Sequence, residues 1–142
     1  MSGIEAIQTG AIAMLDHPDF LRRVLYFDAA SGALTGLLMT MASAPLAALT
    51  GLSTSHLMTA GLALFPVAAY MAYVGSRRPI PALGVKVNIA GNVAWVVASI
   101  AVMAGALGPI TSFGTAFVAV QAAAVAVLAL LETMGLSRLQ SA

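Results

Sequence analysis

The sequence predicts an all-α integral membrane protein, a four-helix bundle with both termini in the cytoplasm and short, neutral outer loops. The first observation is composition: 61% of the residues are apolar and 8% are charged, whereas about 25% are charged in a typical soluble domain. The second is four apolar stretches of about 20 residues, each of which crosses a ~30 Å hydrocarbon core at ~1.5 Å per residue. The spans are predicted at 24–44, 54–74, 87–107 and 112–134.

The charged residues predict the orientation of these spans. Arg22 and Arg23 precede the first span, Arg138 follows the fourth, and the three remaining basic residues lie between the second and third: Arg77, Arg78 and Lys86. The two opposite loops carry no charge. Because basic residues concentrate on the cytoplasmic side of membrane proteins, we predict a multi-pass protein of the cell inner membrane with both termini cytoplasmic.

The segment before the first span is predicted to lie at the membrane surface. Residues 1–17 form this cytoplasmic or interfacial segment, in which Ile4, Ile7, Ala11 and Leu15 recur at helical spacing. This pattern indicates a weakly amphipathic helix, although a frayed terminus fits equally well. Pro18 then marks the start of the first long helix, because proline is tolerated in a first helical turn.

The transmembrane domain is predicted over residues 18–138, followed by a tail at 139–142. The outer segment 43–55 is apolar but broken by Pro45 and Gly51, so we expect an irregular loop packed at the membrane interface. Pro66 interrupts the second span and is expected to kink it.

Polar residues at one depth of the spans are the main candidates for function, because lipid excludes such groups unless they have a role. They are Asp28, Asn88, Asn92, Glu132 and Tyr73, and all of them except Asn88 lie ~6–9 Å inward from the flanking basic residues by helical rise. Helical spacing places Asn88 and Asn92 on one face, and Asp28 and Asn92 are expected to interact most directly. We therefore predict a polar layer that faces inward, in the cytoplasmic third of the bundle.

Two interpretations of this layer are open from the sequence. Asp28 could pair with Arg22, Arg23 or Lys86, and Glu132 with Arg138 or Arg78, through side chains that extend along the helices. In that case the layer is structural. Alternatively, the layer is a proton or cation site, or a polar pocket open to the cytoplasm.

Deeper polar and aromatic residues indicate a possible pocket, and two glycines indicate close helix packing. The pocket candidates are Trp95, Tyr70, Gln121 and Ser99, because a mostly apolar cleft with few polar groups suits a lipid, a quinone or a pigment. Gly32 and Gly36 match the small-xxx-small pattern at which membrane helices approach closely.

The sequence also argues against several classes of function. The absence of cysteine excludes disulfides and thiolate metal sites. A net charge of +1 argues against nucleic-acid binding, which needs a concentrated basic face. The chain contains no recognised catalytic or nucleotide-binding motif, so we expect a non-enzymatic protein without a metal or cofactor.

Three short segments, LRRVLYFDAASG, NVAW and ETMGLSR, resemble small uncharacterised four-helix bacterial inner-membrane proteins. This resemblance implies the fold and the location, and it implies no activity.

The sequence leaves three functions open. The leading hypothesis is association in the membrane, as a homo-oligomer or as an accessory subunit of a larger complex, because the helices are rich in Ala and Gly and the loops are short. The second is a small transporter or channel for protons, cations or small solutes that uses the polar layer. The third is a membrane-embedded binder of a lipid, a quinone or a pigment. In all three hypotheses the outer surface of the helices contacts membrane lipid.

Overall fold

The computed structural model describes residues 2–15, 17 and 19–141, with Leu15 described by its backbone alone. These residues form six helices and, within the described ranges, no strand. The helices are α1 (Gly3–Leu15), α2 (Phe20–Met41), α3 (Ser43–Thr50), α4 (Thr54–Ser76), α5 (Ala82–Met103) and α6 (Ser112–Ser141). Pro18, the predicted helix start, lies outside the described residues.

Four helices, α2, α4, α5 and α6, are long and apolar enough to cross a membrane. This confirms the all-helical class and the number of candidate spans, and the ends of the helices differ from the ends of the predicted spans. α2 ends at Met41 whereas the first span is predicted to end at residue 44, and α5 covers Ala82–Met103 whereas the third span is predicted at 87–107. The predicted C-terminal tail is helical as far as Ser141. Hydropathy locates the apolar centre of a helix, whereas its ends depend on local hydrogen bonding.

The segment after α2 contains a helix, Ser43–Thr50, rather than the irregular loop that its proline and glycine predict. Pro45 is the third residue of α3, where a missing N–H is tolerated because the first turn has no intrahelical acceptor. Gly51 then ends the helix in the left-handed conformation, with φ of 81°. Leu46 and Thr50 are buried, so α3 packs onto α4 and α6.

The N-terminal helix α1 is exposed along its described side chains and touches α6 only slightly. It begins with a capping box: the Ser2 N–H donates to the Glu5 carboxyl at 2.6 Å, and the Glu5 N–H donates to the Ser2 hydroxyl at 3.2 Å. The backbone hydrogen bond from Ser2 is the main cause that lowers the pKa of the Glu5 carboxyl.

Among the long helices, α2 packs along α4, α5 packs along α6, and α2 also lies against α6. The crossing of α2 and α4 is tight because two glycines meet there. A Cβ on Gly36 would lie 2.8 Å from the Gly61 carbonyl oxygen, and a Cβ on Gly61 would lie 2.9 Å from the Met39 Cβ. Gly32 is less constrained, with the Ala68 Cβ at 3.9 Å from its own added Cβ. α4 continues through Pro66 to Ser76.

The start of α2, the end of α4, the start of α5 and the end of α6 lie together, and we call this the charged end. Arg22 of α2 donates to the carbonyl oxygens of Gly75 and Arg77, the latter at 3.1 Å, which satisfies free acceptors at the C-terminal end of α4. An apolar cluster packs at this end: Leu21, Leu25, Val74, Ile80, Val85 and Leu136. A second cluster packs at the opposite end: Met39, Leu46, Leu52, Leu57, Leu64 and Val118.

Candidate functional site

Between the two apolar clusters, four polar side chains from three helices meet in a buried hydrogen-bonded group. We call Asp28 of α2, Asn88 and Asn92 of α5, and Glu132 of α6 the polar cluster. All four are buried, and Glu132 is 0% exposed. The Asn92 amide donates to the Asp28 carboxyl at 2.7 Å, the shortest hydrogen bond in the cluster, and this is the pair that the sequence predicts to interact most directly.

Each asparagine amide donates hydrogen bonds to both carboxyl groups. Asn88 donates to the two Glu132 carboxyl oxygens at 2.9 and 3.0 Å and reaches Asp28 at 3.4 Å. Asn92, which binds Asp28, also reaches Glu132 at 3.3 Å. The two carboxyl groups therefore accept hydrogen bonds from the same two amide nitrogens. The polar cluster holds two acids that share two neutral amide donors.

The partners that the structure gives these acids are amides rather than the basic side chains considered from the sequence. Arg22 donates to backbone carbonyls at the end of α4, and its Nε lies 3.8 Å from Asp19. Arg77 lies over the ring of Tyr73, with its guanidinium carbon 5.4 Å from the ring centroid. Arg22 therefore binds the end of α4 and not Asp28.

Tyr73 does not join the polar cluster, and its assignment to the inward-facing layer is wrong. Its side chain is 58% exposed, whereas Met71, Val74 and Gly75 form the buried face of α4. At ~100° per residue, Tyr73 lies about 200° around the helix from Met71, so it points away from the neighbouring helices. The distance of Tyr73 from the flanking Arg77 predicts its position along the helix axis, but it does not predict which face of the helix the side chain occupies.

A cavity of about 800 Å³ adjoins the polar cluster and is lined by all four long helices. Asp28, Asn88 and Asn92 form part of its wall, whereas the lining does not include Glu132, which lies behind them. The remaining wall is mostly apolar, and it includes three of the predicted pocket residues: Tyr70, Trp95 and Gln121.

The large cavity is lined by α4 and α5, which pack against each other less than α2 packs against α4 or α5 against α6. Val67 of α4 and Val87 of α5 line the cavity and remain exposed. The two helices meet at the charged end, where the Tyr70 hydroxyl donates to the Gly84 carbonyl at 3.0 Å. This hydrogen bond also holds the Tyr70 ring at the cavity wall.

A smaller cavity of about 160 Å³ lies next to the large one, toward the end opposite the charged end. Ser99, the fourth predicted pocket residue, lines this smaller cavity rather than the large one, and its hydroxyl donates to the Trp95 carbonyl at 2.8 Å. Trp95 and Gln121 line both cavities and so form part of the wall between them.

The Trp95 indole N–H is a buried donor that has no hydrogen-bond partner among the described residues. Buried polar atoms are nearly always paired, and leaving one unpaired costs about 1–3 kcal/mol. The wall of the two cavities therefore offers a free donor to a molecule with a hydrogen-bond acceptor.

In the part of the chain that the structure describes, no group of three or more His, Asp or Glu side chains is arranged around a common point. Comparison with protein families, curated proteins and solved structures found no match. The functional argument therefore depends on the geometry of the polar cluster and the large cavity, and the resemblance to small bacterial membrane proteins stays a prediction.

Proposed function

We propose that the protein spans a membrane as a four-helix bundle, with both termini on the cytoplasmic side, and binds a small amphipathic molecule in the large cavity. The observation that carries this proposal is the cavity itself. Its volume of about 800 Å³ lies within the ~300–1,000 Å³ typical of sites for small molecules.

The chemistry of the wall favours an amphipathic ligand over a water-soluble one. Such sites combine apolar walls with a few convergent polar groups that fix the orientation of the ligand. Here the polar groups are the three lining members of the polar cluster at one end, with Gln121 and the unpaired Trp95 N–H deeper in. A lipid-like molecule would place its polar group against these side chains and its apolar part along the rest of the wall.

Exposed apolar side chains in the cavity lining support entry from the membrane. Val67 and Val87 line the cavity and are exposed on two candidate spanning helices, so a molecule dissolved in the bilayer can reach the cavity without crossing water. Exposed valines also suit contact with acyl chains. The proposed partners are therefore membrane lipid and one bound amphipathic molecule.

Extraction of the purified protein tests this proposal. Protein purified in a mild detergent is extracted with organic solvent, and the extract is analysed by mass spectrometry for amphipathic molecules in stoichiometric amount. We expect one compound to be retained by the wild type and lost in Gly91→Phe. Gly91 lines the cavity and has nothing within 4 Å of an added Cβ, so a phenyl group there occupies cavity space.

Val93→Phe is the matched control, because it adds a phenyl group to the same helix at a half-exposed position outside the cavity lining. This variant should retain the compound. Equal retention by the wild type and by both variants would count against binding in the cavity.

Association as a homo-oligomer or accessory subunit, and transport of protons, cations or solutes, stay predictions from the sequence. The same holds for location in the inner membrane, the absence of enzymatic activity and the absence of a cofactor.

A further inference from the structure

The polar cluster brings acidic groups together at the wall of an apolar cavity, and its other members are uncharged. Asp28 and Glu132 both accept hydrogen bonds from the amides of Asn88 and Asn92. Amides stabilise a carboxylate by donating hydrogen bonds, but they contribute no net charge. An ionised carboxyl group in such a place is stabilised most by a positive group brought within contact distance.

Asp28 is the member of the acidic pair that a ligand can reach. It lines the large cavity, whereas Glu132 is fully buried and is not part of the lining. A positive group placed at the Asp28 end of the cavity therefore meets one carboxyl directly and lies close to another.

The rest of the cavity suits the apolar part of such a ligand. Aromatic side chains from three helices line it: Tyr70, Trp95, Phe113 and Phe117. Aromatic ring faces attract cations when water is excluded, and their bulk also provides apolar contact area. The wall thus combines an acidic end with an aromatic and aliphatic body.

We propose that the ligand of the large cavity is a lipophilic cation, with its positive group at Asp28 and its apolar body among the aromatic side chains. This inference rests on the proposed function and narrows the ligand class. An amphipathic molecule with a protonated amine, a quaternary ammonium or a phosphonium group fits it, and a neutral or anionic amphiphile fits it less well.

Equilibrium dialysis of the full chain in maltoside detergent tests the charge preference. The probes are radiolabelled tetraphenylphosphonium and tetraphenylborate, two ions of nearly the same shape and opposite charge. Binding to Gly91→Phe is subtracted to remove partition into the micelle. We expect saturable binding of tetraphenylphosphonium to the wild type, and no saturable binding of tetraphenylborate.

Asp28→Asn then tests the assigned carboxyl, because asparagine keeps a side-chain oxygen that can accept from Asn92. We expect it to weaken tetraphenylphosphonium binding by about thirtyfold or more, as for the loss of one partner of a buried charge pair. Asp19→Asn is the control, because it removes the same charge from an acid on the protein surface, 48% exposed. It should change the affinity by less than about twofold, since exposed charges are screened by solvent and salt.

The outcomes separate this inference from the proposed function. A neutral probe, spin-labelled decanol, is measured in the same way. If decanol binds saturably to the wild type but not to Gly91→Phe, while tetraphenylphosphonium does not bind, the cation preference is overturned and the cavity site stands. If neither probe binds, the proposed function fails as well. Equal binding of tetraphenylphosphonium by the wild type and Asp28→Asn, both folded by circular dichroism, overturns the role of Asp28.

Discussion

The tight crossing of α2 and α4 predicts that a single methyl group at Gly61 destabilises the protein. In Gly61→Ala the new Cβ would lie 2.9 Å from the Met39 Cβ and 3.0 Å from the Gly36 carbonyl oxygen. Neither neighbouring atom can move by a change of rotamer, so the two helices must separate. Overpacking of this kind costs about 1–3 kcal/mol.

Replacing glycine by alanine inside a helix also has a favourable effect, which must be separated from the overpacking. In water it is about 0.8–1 kcal/mol per residue. Gly91→Ala provides the reference, because Gly91 also lies inside a long helix and has nothing within 4 Å of an added Cβ. The difference between the two variants therefore isolates the overpacking, and we expect Gly61→Ala to be less stable than Gly91→Ala by about 1–3 kcal/mol.

The assay is reversible unfolding of the purified protein in mixed micelles, followed by circular dichroism as the fraction of denaturing detergent is raised. The free energies of unfolding of the wild type and the two variants are compared under the same conditions. If Gly61→Ala is as stable as Gly91→Ala or more stable, the close contact of α2 and α4 at this glycine is refuted.

Three further predictions concern polar groups. Asp28→Leu should reduce the free energy of unfolding by about 1–3 kcal/mol, because it removes the closest acceptor of the buried Asn92 amide, whereas Val93→Leu at a half-exposed position should change it by less than about 0.5 kcal/mol. Arg22→Ala should cost about 1.5–3 kcal/mol in the same assay, since it removes charged hydrogen bonds to the carbonyls at the end of α4. Because the pKa of the Glu5 carboxyl is lowered in the folded chain, its stabilisation of α1 is present near neutral pH and lost as the pH falls through that lowered pKa. Backbone carbon chemical shifts of the first turn of α1 should then move toward coil values in acid, and Glu5→Gln should remove this pH dependence.

The sequence predicts the polar cluster because two independent properties agree, the helical spacing of the asparagines and the depth of the acids. Asn88 and Asn92 are one turn apart on α5, and the distances of Asp28 and Glu132 from flanking basic residues place both acids at the same depth. An isolated charged or amide group in a long apolar helix has few places to lie except inward. Tyr73 was misplaced because a tyrosine is stable on either face near a membrane interface, so its depth carries no information about its face.

Features that depend on the distance between helices could not be predicted from the sequence. The small-xxx-small pattern identifies Gly36 as a contact point, but it does not identify Gly61 as the glycine that meets it. The large cavity depends on how far apart its four lining helices lie, and helical periodicity does not determine the spacing of helices. α3 was missed because the sequence signals of Pro45 and Gly51 fit a loop as well as a helix with proline in its first turn.

Photo-crosslinking in lipid nanodiscs tests the central claim, that a membrane-soluble amphiphile occupies the large cavity, most directly. The probe is an alkylamine with a diazirine in its chain, and the labelled positions are read by peptide mass spectrometry. We expect adducts to concentrate on cavity-lining residues such as Trp95 and Gln121 and to decrease when unlabelled alkylamine is in excess. Adducts distributed equally over Val93 and Val97, which are exposed and outside the cavity lining, would contradict the claim.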